Sequence, residues 1–225
     1  MPAPSHAVLM DRNYRFQRHI YDLTRRRYLI GRDLLIERLK PPPGGDVLEI
    51  GCGTAANLIA AAARYPLARL HGVDISSMML ATARDAIATQ GLSERIRLQL
   101  ADAARLDGRS FFGASAFDRV FFSYSLSMIP DWRAAIASAF AHVTPGGALH
   151  IVDFGEMNDM PRAAKAALRL WLRYFNVAPR DELRSELQTY VARGDASLKF
   201  SPLSRGYASY IELARRPAAA SPISG

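Results

Sequence analysis

Three carboxylates and a pair of glycines carry the chemistry of this chain. Val47-Leu48-Glu49-Ile50 is an apolar run holding one acid, and Gly51-Cys52-Gly53-Thr54-Ala55-Ala56-Asn57 follows it directly. Glycines one residue apart let the backbone turn sharply and bring main-chain amides against a ligand that a Cβ would repel. Asp74 closes the next apolar run, Gly72-Val73-Asp74-Ile75, and Asp102 follows the one after, in Leu100-Ala101-Asp102-Ala103. An acid at Asp74 can accept hydrogen bonds from both hydroxyls of a ribose lying across strand ends. One at Asp102 can receive an adenine amino group, with the Ala103 amide serving the ring nitrogen. Ile75, Met78 and Met79 offer apolar surface to the faces of the purine. Each acid alone is equally well explained as a helix N-cap. Glu49, Asp74 and Asp102 at successive strand ends are much harder to explain that way.

Two cofactor classes fit the turn. Gly51-Cys52-Gly53-Thr54-Ala55-Ala56 satisfies a dinucleotide fingerprint whose last position accepts alanine. Glu49 argues for S-adenosylmethionine instead. An acid two residues before Gly51 can meet a cationic cofactor end, whereas beside a pyrophosphate it would repel. The expected cofactor is therefore S-adenosylmethionine, without a metal, and an NAD(P)-binding oxidoreductase is the distant alternative. Ser123, ending the fourth apolar run, joins the expected cofactor-binding set. Tyr124, His150 and Asp153 lie at or near the ends of the fourth and fifth runs and are the candidate catalytic residues. In that reading Tyr124 faces the methyl group, His150 accepts a proton and Asp153 orients an ammonium.

The elements that must position these residues alternate along the chain. The pattern predicts strands at Asp46–Ile50, Arg69–Asp74, Ile96–Leu100, Arg119–Ser123 and Ala148–Asp153. It predicts helices at Ala55–Arg64, Ser77–Gln90 and Trp132–His142, then two more within 161–193. Continuously apolar strands alternating with helices imply an α/β fold, a mostly parallel sheet covered on both faces. Pro145-Gly146-Gly147 reads as a turn feeding the fifth strand. Leu198–Phe200 and Tyr207–Ala214 read as a closing antiparallel pair that completes seven strands. Residues 8–40 read as helix interrupted near Gly31, and Pro41-Pro42-Pro43-Gly44-Gly45 as a linker. The expected division is a helical cap at 1–45 over the active site, a cofactor-binding domain at 46–216 and a disordered tail at 217–225.

Bulk properties bound the rest. The 225 residues suffice for one sizeable domain, and the single cysteine, Cys52, excludes an intrachain disulfide framework. No window reaches the roughly 18 apolar residues of a membrane span. The opening residues lack the order of a secretory signal, which sets the expectation of a cytoplasmic protein. The net charge of +8 is unevenly placed: residues 1–45 carry nine Lys/Arg against four Asp/Glu, residues 46–160 nine against twelve, and residues 161–225 eleven against five. Basic flanks around a slightly acidic core suggest an anionic partner. A membrane surface at its inner face is the expected one; nucleic acid is not expected.

Glu49-Ile50-Gly51-Cys52-Gly53, Asp74, Ala101-Asp102, Phe117-Asp118-Arg119-Val120 and Pro145-Gly146-Gly147 resemble the successive motifs of the class I, Rossmann-like methyltransferases, over about residues 46–153. The chain departs from that pattern at Ala55, where those enzymes usually carry a third glycine. The lead is more particular. His6 to Asp11, Tyr14 to Arg25 and Tyr28 to Asp33 resemble the opening of the betaine-lipid N-methyltransferases, with Arg26 and Arg27 where that family carries Lys and Tyr. The resemblance implies three methylations of diacylglyceryl-homoserine to diacylglyceryl-trimethylhomoserine. Phosphatidylethanolamine, a small amine or a quinone are alternative acceptors.

The lead can also be read from its residues. Tyr14, Arg18, Tyr21, Arg25, Tyr28 and Arg32 fall on one stripe of a helical wheel. Tyrosine faces stabilise sulfonium and ammonium cations, and arginine forks grip carboxylates. Tyr28 and Arg32 are therefore assigned to the cofactor, and Tyr14, Arg18, Tyr21 and Arg25 to the substrate. Farther along, Arg162, Lys165, Arg169 and Arg173 share one face of a predicted helix, with Ala164, Leu168, Trp171 and Phe175 opposite. A basic amphipathic helix of this kind suits an anionic membrane interface.

Overall fold

Apolar residues on alternate strand positions point to opposite faces of one sheet, and each face is covered by helices. The computed structural model describes residues 29–218. Its strands are β1 (Asp46–Ile50), β2 (Arg69–Asp74), β3 (Ile96–Leu100), β4 (Phe117–Ser123), β5 (Val143–Phe154), β6 (Ala196–Leu203) and β7 (Ala208–Arg215). They form one seven-stranded sheet in the order β3-β2-β1-β4-β5-β7-β6. Strands β1 to β5 pair in parallel, and β7 lies antiparallel to both β5 and β6. This is the doubly wound methyltransferase sheet expected from the sequence, with its antiparallel closing strands.

The helices are α1 (Arg32–Leu39), α2 (Ala56–Arg64), α3 (Ser77–Thr89), α4 (Gly108–Phe112), α5 (Trp132–Ala141), α6 (Arg162–Tyr174) and α7 (Leu183–Ala192). On one face, α1, α2 and α3 bury Leu35, Leu39, Leu58 and Leu80 against Val47, Leu70, Phe121 and Val152. On the other, α5 and α7 bury Trp132, Ile136, Leu183 and Leu187 against Leu48, Val120, Phe122, Leu149 and Ile211. Phe121 and its neighbours Val120 and Phe122 thus serve opposite cores, as strand alternation requires.

Two boundaries differ from expectation for physical reasons. Strand β4 begins at Phe117, because the Phe117 amide already bonds the His142 carbonyl at 2.7 Å. The Pro145-Gly146-Gly147 turn is absorbed into β5 as a bulge: Phe117 pairs with Val143, but Arg119 pairs with Ala148. A Cβ on Gly147 would stand 2.8 Å from the Asp118 carbonyl, so the bulge closes against β4. Of the expected cap, helix α1 is described: Leu35, Ile36 and Leu39 are buried in the sheet core, and Arg32 at its start lines a lobe beside Gly51. Arg119 clips its C-terminus, donating to the Leu39 and Lys40 carbonyls at 2.5 and 2.9 Å. Residues 1–28 of that cap, and the expected tail from 219 onward, lie outside the described residues.

Because Leu35 is fully buried against the sheet, Leu35→Ala is expected to lower unfolding free energy by about 2–5 kcal/mol. Urea denaturation measures it, and a negligible loss would show that α1 does not belong to the folded core.

Candidate active site

The glycine turn is built by main-chain geometry and one carboxylate. After β1, Gly51 and Gly53 take left-handed φ of 73° and 53°. The Gly51 and Cys52 amides donate to the Val73 carbonyl at 2.8 and 3.0 Å. Asp74, buried at the end of β2, accepts the Gly53 amide on Oδ2 at 2.7 Å and the Ser76 amide on Oδ1 at 2.9 Å. That carboxylate pins the turn to the start of α3. Across the turn, Ser125 donates its hydroxyl to the Ile50 carbonyl at 2.8 Å. A Cβ on Gly51 would lie 2.5 Å from the Ser125 Cβ. Ala55, standing where the third glycine is usual, also takes a left-handed φ, of 62°, at the N-cap of α2. That conformation costs an alanine about 1–2 kcal/mol, partly offset by complete burial of its methyl group.

Between β1 and β4 the strand order reverses, and loops diverging from that point open a crevice. A cleft of about 280 Å³ lies there, at the carboxyl ends of the parallel strands. Gly51, Gly53, Asp74, Ile75, Asp102 and Ala103 all line it. Asp102 caps the short turn Ala103–Arg105 by accepting the Ala104 amide at 3.0 Å. Met79 is buried just behind the lining, in a small apolar cluster with Ile75, Met78 and Met128. Met128 itself lines the cleft, with Ser125 and Asp131. These last three were not identified from sequence. They sit on the irregular segment after β4, and no spacing rule carries a loop across the sheet to that position.

Glu49, Arg32 and Ser123 line a side lobe next to Gly51 instead of the main cleft. Asn57, early in α2, connects two of them. Its Nδ2 donates to Glu49 Oε1 at 2.5 Å, and its Oδ1 accepts Arg32 Nε and Nη2 at 2.8 and 2.5 Å. Asn57 was not singled out from sequence, since an amide on a helix has no periodic signal. The Ser123 hydroxyl is buried with no hydrogen-bond partner among the described residues. An acid, a guanidinium and an available hydroxyl around one lobe suit a zwitterion, with the acid near its ammonium and the guanidinium near its carboxylate.

The catalytic expectations change most. His150 is a correction: it pairs with Phe121, two positions short of the level of Ser123, and is buried in mid-strand. Its Nδ1 bonds the Tyr210 hydroxyl at 2.8 Å, and burial pushes its pKa down to about 4. It is a core histidine that does not reach the cleft. Asp153 does lie at the carboxyl end of β5, but it lines neither cavity. It accepts the Ser127 amide at 3.0 Å and the Phe154 amide at 2.8 Å, so it tethers the loop that carries Met128. Complete burial raises its pKa to about 6, against the opposing pull of those two amides. Tyr124 lines the cleft with a left-handed φ of 56°. Its hydroxyl donates to the Ile30 carbonyl at 2.7 Å, and burial raises its pKa well above the usual range. The tyrosine therefore offers ring and backbone to the cleft, not a proton acceptor. Cys52 is buried, and desolvation, then Asp74 and Glu49, keep its thiol protonated. Tyr14, Arg18, Tyr21, Arg25 and Tyr28 lie outside the described residues. No group of three or more His, Cys, Asp or Glu placed to hold a metal ion occurs among the described residues.

Comparison with known proteins gives a consistent setting. Residues 47–147 match the family described as a methyltransferase domain. The chain is 33% identical over 132 residues to the methyltransferase GfsG of Streptomyces halstedii, covering 57% of this chain and 46% of that protein. It is 31% identical over 117 residues to a trans-aconitate 2-methyltransferase of Variovorax paradoxus, covering 52% and 41%. It therefore spans about half the length of the curated relatives it matches. An O-methyltransferase family protein of Burkholderia thailandensis has the same fold, with a TM-score of 0.68 at 19% identity, covering 92% of this chain and 60% of that one.

Gly51→Ala combines a left-handed φ with a Cβ contact of 2.5 Å. It is expected to destabilise the fold by more than about 2 kcal/mol and to distort the turn. Chemical denaturation reports the loss, and an unchanged midpoint would contradict the turn geometry.

Proposed function

We propose that this chain, whose residues 47–147 match a methyltransferase domain family, uses S-adenosylmethionine to transfer a methyl group to a lipid head-group amine, with diacylglyceryl-homoserine as the leading acceptor. The observation that carries the cofactor half of this reading is the set of acids along the strand ends: Glu49 in the side lobe, Asp74 and Asp102 in the cleft. A dinucleotide pyrophosphate would meet Glu49 with like charge, whereas a sulfonium amino acid would not. The Ser123 hydroxyl beside Glu49, buried and without a hydrogen-bond partner among the described residues, fits a polar ligand group in that lobe.

In this reading Asp74 accepts the ribose hydroxyls. Its two oxygens each hold one backbone amide, from Gly53 and Ser76, which fixes the carboxylate at the cleft wall. Asp102 receives the adenine amino group, and Ile75 and Met128 cover the ring. Glu49 and Arg32 hold the amino-acid end through its ammonium and carboxylate. When bound, S-adenosylmethionine supplies an electrophilic methyl on a cationic sulfur. The protein aligns the acceptor nitrogen with it and excludes water, and alignment is where most of the rate comes from in such a displacement. An ammonium must first lose a proton, and a dry pocket lowers its pKa without a dedicated base. That accords with Tyr124 and His150 being unsuited to the task.

The acceptor half rests on the lead, where His6 to Asp33 resemble betaine-lipid enzymes, and on the basic flanks. A second reading is O-methylation of a carboxylate, favoured by the similarity to a trans-aconitate 2-methyltransferase. Incubating the chain with labelled S-adenosylmethionine and each acceptor separates them. The proposal expects label on diacylglyceryl-homoserine in a form stable to alkali. Label released as methanol by alkali, or found only on a soluble acid, would reject it.

Asp74→Ala leaves the Gly53 and Ser76 amides without their shared acceptor and removes the ribose contact. With charged hydrogen bonds worth about 1.5–3 kcal/mol each, Kd for S-adenosylhomocysteine is expected to rise about 100-fold while a cooperative thermal transition persists. Near-normal affinity by calorimetry would contradict the assignment.

A further inference from the structure

Helix α6 buries only part of its apolar surface. The apolar face expected from sequence puts Ala164, Leu168, Trp171 and Phe175 together; in the structure Trp171 meets Phe175 edge-on, ring centroids 4.9 Å apart, and stays half exposed. Leu172 is buried, with Leu168 and Phe175 partly buried beside Met157 and Val177. The opposite side carries a second apolar stripe: Ala163, Ala166 and Ala167 are exposed, and Leu170, Trp171 and Tyr174 are exposed by 70%, 49% and 83%. Those positions recur at three- and four-residue steps over the whole helix, so they form one continuous face. Arg162, Lys165, Arg169 and Arg173 run along its border, and the helix contains no acid. Of the four, Arg169 pairs with Asp181 at 2.5 Å and Lys165 donates to Asn158 Oδ1 at 3.3 Å.

We propose that this face of α6 docks on an anionic lipid bilayer, with Leu170, Trp171 and Tyr174 entering the interface and Arg162, Lys165 and Arg173 meeting the head groups. The inference deepens the lipid-acceptor reading above and rests on it for the identity of the substrate, but the docking itself is independent of the acceptor. Charge selects the occupant. Two copies of a helix with four cations and no acid would repel across a shared interface. A nucleic acid would use the cations but leave the Leu170 and alanine stripe without reward. An anionic bilayer uses both, because basic residues add attraction to partitioning of the apolar face. Tryptophan and tyrosine, with apolar rings and polar tips, suit the interfacial depth. No described helix is long and apolar enough to cross a membrane, so contact through α6 is lateral.

The inner side of α6 and the cleft share a wall. Met128 lines the cleft and packs in the same small cluster as Leu172. Just after α6, the Ala178 amide donates to the Ser127 carbonyl at 2.9 Å, and Arg180 donates to the Leu126 and Ile129 carbonyls at 3.2 and 2.6 Å. Helix α6 thus braces the loop after β4 with its inner face, while its outer face carries the docking stripe.

The test uses the full chain and vesicles, without cofactor or acceptor. Flotation is run with phosphatidylglycerol–phosphatidylcholine vesicles and with phosphatidylcholine alone. Trp171 emission is followed in the same samples, since the other tryptophan, Trp132, is buried in the core. Binding to the anionic vesicles with a blue shift is expected. Arg162→Gln with Lys165→Gln is expected to weaken binding about 30-fold, from about 1 kcal/mol per cation. Leu170→Gln with Tyr174→Gln is expected to abolish the blue shift and weaken binding more than tenfold. Neither pair should change turnover of a detergent-dispersed acceptor. Equal binding by all variants, absence of binding at physiological salt, or loss of a dimer by the Leu170/Tyr174 variant would each overturn the docking proposal. Turnover of dispersed lipid without vesicle binding sinks the docking alone, and vesicle binding without turnover of any lipid amine sinks the acceptor reading alone.

Discussion

One buried carboxylate holds the cleft together. Asp74 ends β2 and takes a backbone amide on each oxygen, one from the glycine turn and one from the start of α3. Neighbouring strand ends are thereby fixed relative to each other by a single side chain. The turn can accept that clamp because Gly51 and Gly53 enter a left-handed region that is strained for other residues. Ser125 then closes over Gly51 from the β4 side, where a methyl group would not fit. The rest of the cleft is arranged around this knot.

The sheet supplies the constancy that such a site needs. Its central strands are buried on both faces, so their carboxyl ends move little, and the variable parts are loops. The loop after β4 is the least regular wall of the cleft, and it is the most heavily tethered. Asp153 holds it through the Ser127 amide, Arg180 through the Leu126 and Ile129 carbonyls, and the Ala178 amide through the Ser127 carbonyl. Burying a carboxylate at Asp153 opposes its ionisation, and its backbone bonds recover part of that cost.

What could be read from the sequence follows from periodicity. Strands β1, β2 and β3 and their terminal acids were legible because apolar runs, glycines and acids follow each other locally. The glycine turn was legible for the same reason, down to Ala55 occupying the position of a third glycine. The roles of Tyr124, His150 and Asp153 were not, because depth along a strand and the partner of a buried polar group are tertiary facts. His150 looks identical in sequence whether it ends β5 or sits in its middle beside Tyr210. Asn57 and Met128 reach the site only through packing. Helix α6 shows the same limit: its two apolar stripes are both visible on a wheel, but only the fold decides that Leu172 faces inward and Tyr174 outward.

The central claim is that the acid-tipped strand ends hold an adenosine whose attached sulfur is cationic. A crystal structure of the chain with S-adenosylhomocysteine tests it most directly. The account predicts ribose hydroxyls at about 2.5–3.0 Å from Asp74, the adenine between Ile75 and Met128 near Asp102, and the amino-acid end beside Glu49. A ligand bound elsewhere, or a cleft that takes up NAD in preference, would contradict it.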